Sequence, residues 1–159
     1  MTYDELLSMF PDIKIREIDL SELDPELEIL GLYADGNIFI NNRIGTTTEK
    51  ACVAIEEVGH HYTTTGNILD QNKAGNCKQE KRARAWGHEK MAPLDAFLEA
   101  YWAGVSNRYE LAEFMEVTEE FLSETIEHYK AKHGIFCSVG EYLIYFDPLA
   151  VIEKLNNIK

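Results

Sequence analysis

A chain of 159 residues, 45% of them hydrophobic and with seven Phe, eight Tyr and two Trp, can close one hydrophobic core, with room for a small C-terminal appendage. Its formal net charge of −13 argues against nucleic-acid binding, which rests on Lys and Arg neutralising phosphates. No run approaches the ~18 apolar residues of a membrane span.

Residues 2–10 place Tyr3, Leu6, Leu7 and Phe10 at helical spacing, and Pro11 stops that helix. Asp4 and Glu5, with no basic-then-apolar pattern, argue against a secretory signal, so a cytoplasmic protein is expected. Cys52, Cys77 and Cys137 are odd in number and form no C-x-x-C pair, which fits reduced thiols. Ile13, Ile15 and Ile18, interleaved with Lys14 and Arg16, suggest a strand. Residues 21–28 are acidic, contain Pro25 and read as a loop or helical turn. Residues 29–40 read as a hairpin, because Asp35-Gly36 suits a type I′ turn in which both central residues take positive φ. An edge strand there would wall a cleft and could pair with an extended peptide.

Thr46 and Glu49 fit a capping box that opens a helix. Within residues 51–62, Ala51, Ile55, Val58 and Tyr62 make one helical face. The neighbouring face carries Glu56 and His60, one turn apart, with Glu57 about 100° further round. In the H-E-x-x-H helix of zinc peptidases, two residues four apart bind metal and the intervening glutamate is general base. Here the first position is Glu56. The helix should end near residues 63–66, and the polar stretch 67–77 reads as a loop.

Residues 78–92 resume helical spacing, with Glu80, Ala83, Gly87 and Met91 on one face and Trp86 beside it. A carboxylate on that apolar stripe needs a partner: a metal held by the preceding helix, or Arg84 one turn on. The basic cluster Lys73, Lys78, Lys81, Arg82 and Arg84 reads as a solvated face. Residues 93–103 suggest a further helix, Asn107 with Glu110 caps another over 108–115, and 119–132 form the next after a short turn. From Arg108 to Lys132 there are seven Glu against one Arg and two Lys, which suits a packing hairpin and not a DNA-recognition helix. Residues 141–146 read as a strand, and Asp147-Pro148 as the start of a last helix running to residue 156. The expected fold class is α+β and mainly helical. Residues 1–104 would form the site-bearing part, and residues 105–159 a helical hairpin, strand and last helix packed on it as one compact unit.

Glu56-Glu57-Val58-Gly59-His60, followed by Glu80-x-x-Ala83-x-x-Trp86-Gly87 and then Pro93, resembles the ImmA/IrrE family of metallo-endopeptidases. Only the first position of its H-E-x-G-H motif differs there, together with Trp for Phe and Gly for Ala in its E-x-x-A-x-x-F-A helix. The resemblance implies a zincin-like domain with His60, Glu80 and, in place of the first histidine, Glu56 as metal ligands. Glu57 is then the base, and His61, Tyr62, Arg84 and His88 are candidates for supporting the ligands or the oxyanion. The implied cofactor is a divalent metal, zinc first, with manganese or iron competing because two carboxylates favour harder ions. By resemblance the protein is an anti-repressor of a mobile element or phage, hydrolysing a DNA-binding repressor. The alternative is an interaction protein that disables that partner by binding alone.

Overall fold

A computed structural model describes residues 1–21, 23, 28–63 and 73–155. The first elements are α1 (Tyr3–Met9), β1 (Lys14–Ile18), β2 (Gly31–Ala34), β3 (Asn37–Asn41) and α2 (Thr47–Thr63). Then come α3 (Lys73–Met91), α4 (Leu94–Trp102), α5 (Arg108–Met115), α6 (Glu119–His133), β4 (Phe136–Val139), β5 (Tyr142–Phe146) and β6 (Leu149–Glu153). The architecture is α+β, mainly helical, with two three-stranded sheets ordered β1-β3-β2 and β4-β5-β6.

The local signals that were chemically specific give the expected elements. Asp35 and Gly36 take φ of 49° and 79°, and β2 and β3 pair antiparallel across them. β1 adds to the far side of β3 in parallel. The Thr46 hydroxyl accepts from the Glu49 N–H at 3.1 Å, and Asn107 caps α5 by accepting from the Glu110 N–H at 2.9 Å. Most of the acidic stretch 21–28, most of the expected helix end at 63–66 and residues 67–72 of the expected loop lie outside the described residues.

Three expectations fail. Residues 73–77, read as loop, begin α3; this polar turn lacks an apolar stripe, so periodicity could not reveal it. Asp147-Pro148 opens no helix. Its peptide is cis, and the two residues form the turn between β5 and β6. Leu149–Glu153 then pairs antiparallel with β5, burying Leu149 and Val151 against the core; a stretch so short gains more from a ladder than from nucleating a helix. β4 had no expectation at all. The third is Tyr62. Ala51, Ile55 and Val58 are fully buried, but Tyr62 is 53% exposed at the end of that face.

One hydrophobic cluster runs from Tyr3 through Ile38, Ile55, Met91, Phe97 and Ile126 to Phe146. α2 lies at its centre, with β2 and β3 on one side, α3 on another, and α6 packed on α3. Among the described residues no helix is long and apolar enough to cross a membrane.

Candidate metal centre

Two glycines set how closely α2 and α3 approach. A Cβ on Gly59 would lie 2.3 Å from the Ala83 carbonyl oxygen, so backbone meets backbone there. A Cβ on Gly87 would lie 3.5 Å from Ile55. Gly59 opposite Ala83 and Ile55 opposite Gly87 define an antiparallel register. It places His60 opposite Glu80, and Glu56 toward Arg84.

The side chains follow that register. His60 Nε2 is 3.2 Å from Glu80 Oε2, and Arg84 Nε donates to Glu80 Oε1 at 3.1 Å. Of the two partners expected for Glu80, Arg84 is in place on one oxygen, and the other oxygen meets His60 of the preceding helix. Glu80 is not on a buried stripe, since its side chain is 47% exposed where the stripe runs out to solvent.

Glu56 and Glu57 are half-buried on α2. Burial pushes the Glu56 carboxyl up to about 7, with Glu124, Glu80 and Glu120 adding to the rise and Arg84 opposing it. Burial also pushes Glu57 up to about 7, helped by Glu56 and Glu80 and opposed by a backbone hydrogen bond from Tyr33. For Arg84, burial works against the guanidinium, but Glu56, Glu80 and Glu124 outweigh it and raise its proton affinity.

Glu57 faces β2. A Cβ on Gly31 would lie 2.8 Å from Glu57 Oε1 and 2.7 Å from Val53 Cγ1, so a larger residue there would have to push these side chains aside. Sequence reasoning missed Gly31, Tyr33 and Glu124. A glycine at the entry of a strand was the visible signal for the first; nothing local marks the others.

The remaining candidates divide. His61 stands edge-on to Tyr33 and Tyr62, and its buried Nδ1 has no hydrogen-bond partner among the described residues. Tyr62 stacks on Trp86 at 5.3 Å and reaches Phe10 at 5.9 Å. His88 lies inside α3 against α6, away from His60 and Glu80. It is 4% exposed, and its Nδ1 is 2.9 Å from Thr125 Oγ1 on α6. Thr125 gives its own proton to the Phe121 carbonyl at 2.8 Å, so His88 donates from Nδ1. Burial, then His128 and Arg84, hold its pKa down to about 4.

The donor chemistry suits a divalent cation. Imidazole and carboxylate oxygen are both metal ligands, and a 3.2 Å N···O separation is close to the roughly 3.3 Å edge of a tetrahedron with ~2.0–2.1 Å bonds. Under-neutralised carboxylates beside that pair are what a cation would stabilise. His60 and Glu80 meet, but among the described residues no group of three or more His, Cys, Asp or Glu is set to hold a metal. Glu56 lies one helical turn from His60 on the same helix.

A mainly helical α+β domain that brings Glu57, His60 and Glu80 together on two apposed helices has the residue types of a metallopeptidase centre. Residues 9–127 match the IrrE N-terminal-like domain of peptidase family M78, and the chain belongs to that family. The family implies a metallopeptidase-type function and a divalent metal cofactor. No curated protein and no solved structure matches the chain.

Proposed function

We propose that the protein is a metal-dependent endopeptidase that inactivates a DNA-binding repressor. His60, Glu80 and Glu56 hold the cation, with zinc preferred over manganese or iron, and Glu57 is the general base. The contact between His60 and Glu80, at 3.2 Å beside Glu57, carries this reading. When bound, the cation would polarise the scissile carbonyl and acidify the attacking water. Glu57 takes the water's proton and returns it to the leaving nitrogen. Gly31 and the Tyr33 backbone fix Glu57 against β2. β2 is an edge strand, so an extended substrate segment has a ladder to join beside the base. The net charge of −13 steers a basic DNA-binding protein toward this surface and keeps nucleic acid away.

Glu56 in the first ligand position favours a second reading, in which the fold disables the repressor by binding alone. One experiment separates the two. Protein purified without chelator is assayed for metal content and incubated with a candidate DNA-binding repressor from the same source, as wild type and as Glu57→Gln. The peptidase reading expects fragments from wild type, with a rate about 10²–10⁴-fold lower for the variant at unchanged metal content. Cleavage that survives the change rules out Glu57 as base. Relief of repression with no fragments from either protein establishes the binder.

A further inference from the structure

The second sheet ends on an unpaired strand beside a cavity. β6 is one edge of the order β4-β5-β6, and its outer side pairs with no strand among the described residues. Next to it lies a cavity of about 300 Å³, lined by Phe97 and Tyr101 of α4, Leu111 of α5, and Leu149, Ala150 and Val151 of β6. These walls suit one aliphatic or aromatic side chain. A free edge beside such a cavity can capture an extended peptide: main-chain bonds to the edge give affinity, and alternate side chains meet the sites beside it.

The surface beyond the cavity selects the peptide. Leu149, Val151 and Glu153 stand across the ladder from Phe146, Ile144 and Tyr142, so all six share a face. The Tyr142 ring is edge-on to Tyr101 at 5.9 Å and to Trp102 at 5.6 Å. Tyr101 and Trp102 are 44% and 61% exposed, which makes a contiguous aromatic shelf. Glu153 stands at this shelf, directly opposite Tyr142, and Glu99 lies one helical turn before Trp102. Neither carboxylate forms an ion pair among the described residues. Lys154, next in sequence, is tied to Ser138 and the Gly140 carbonyl on the other face. Arg108 also lines the cavity, but it acts on Asp147 at the other end of the strand. An aromatic shelf flanked by free carboxylates attracts a guanidinium or ammonium group. The net charge of −13 disfavours a second copy of this chain as the occupant.

We propose that β6 and its cavity dock an extended basic segment of a partner protein. An apolar side chain of that segment fills the cavity, and a Lys or Arg two residues away rests on the Tyr101–Trp102–Tyr142 shelf beside Glu153. The spacing follows from strand geometry, because residues two apart point to one face about 6.6 Å from each other, as Val151 and Glu153 do. The site lies on a different sheet from the β2 edge and needs no metal, so it stands or falls apart from the peptidase reading.

The test selects a randomised library of peptides, about nine residues long and so the length of a long strand, against the full chain in chelator. Enriched sequences should carry an aliphatic or aromatic residue with Lys or Arg two positions from it. The winning peptide is then synthesised, labelled and titrated by fluorescence anisotropy. Trp102→Ala and Glu153→Lys, both at exposed positions, should each weaken its binding about tenfold with unchanged urea midpoints. A copy of the peptide with Glu in place of its basic residue should reverse the preference and bind Glu153→Lys better than wild type. No enrichment, or enrichment of acidic sequences, overturns the proposal. So do peptides that bind both variants as well as wild type, since they dock elsewhere, the β2 edge included. A dimer in sedimentation that Trp102→Ala dissociates would make a second copy the occupant and overturn it as well.

Discussion

The two ends of α3 solve opposite problems with similar residues. At the His88 end, a histidine is sunk between α3 and α6, its Nδ1 satisfied by Thr125 and its ring packed on Phe121 at 4.7 Å. Burial keeps that imidazole neutral, and the contact is a polar tie within a core. At the Glu80 end, a histidine of α2 meets a half-exposed carboxylate, and Glu56 and Glu57 are pushed toward neutrality beside it. A fold needs no such crowding of carboxylates for its own stability, because like charges held out of water raise one another's proton affinity. Crowded carboxylates at one end and a hydrogen-bonded neutral imidazole at the other are the contrast on which the proposed metal centre rests.

Separating the helices at the open end should give the largest change. Gly59→Ala would put a Cβ 2.3 Å from the Ala83 oxygen, which no rotamer can relieve. Overpacking of about 1–3 kcal/mol or more outweighs the gain of up to ~1 kcal/mol from replacing a helical glycine, so a net loss of about 2 kcal/mol is expected. His60 and Glu80 would part with the backbones. Urea unfolding and metal titration of the same sample should therefore both deteriorate; unchanged metal affinity would mean the Gly59 contact does not set the centre.

Changing pH acts on both ends with opposite sign. Glu56 and Glu57 have folded pKa values near 7, above their ordinary values near 4.5. Between those limits the native state retains protons that the unfolded chain has lost, so stability falls as pH rises from about 4.5 to 7. His88 is lowered from 6.5 to about 4, so its contribution is lost as pH falls from about 6.5 to 4. The two windows overlap, so urea midpoints between pH 4 and 8 in chelator read their difference, a net fall as pH rises from about 4.5 to 7 because two carboxyls outnumber one imidazole. Added Zn²⁺ should flatten the carboxylate slope and leave the histidine slope alone.

Thr125→Val tests the closed end by itself. Valine fills the same space but leaves the His88 Nδ1–H without its acceptor, for a loss of about 1–2 kcal/mol. Metal affinity should not move. A weakened metal site in this variant would mean that the two ends are coupled through α6 and that the contrast drawn between them is too sharp.

How much of this was legible in the sequence depended on whether a feature is local. Asp35-Gly36, the Asn107 cap and the E-E-x-G-H spacing each act within a few residues, and each led to its element or its family. Pairing across the chain left weaker traces. Asp147-Pro148 suits a helix start as well as a turn, and only the partner strand β5 decides for the turn. His88 carries no mark of burial, since that comes from Thr125 and Phe121, dozens of residues later. Two motifs on two helices point to Glu80 beside His60, and the two side chains stand 3.2 Å apart. That Glu80 keeps one oxygen for Arg84 and stands half in solvent follows from the helix register, which the small residues Gly59 and Ala83 permit but do not announce.

The smallest expected effect is also the cleanest control. Gly87, like Gly59, is a glycine inside a helix at the α2–α3 contact, so replacing either with alanine brings the same gain in helix propensity. They differ in what the new Cβ meets: backbone at 2.3 Å for Gly59, and Ile55 at 3.5 Å, an ordinary packing distance, for Gly87. Gly87→Ala should therefore be neutral or stabilising by about 0.5 kcal/mol, with metal affinity as in wild type. The sign difference between two chemically identical substitutions would then isolate the backbone approach at Gly59 as the contact that brings His60 to Glu80. If Gly87→Ala is as damaging as Gly59→Ala, the helices are held at uniform distance along their length. In that case the small residue at position 59 has no special part in assembling the centre.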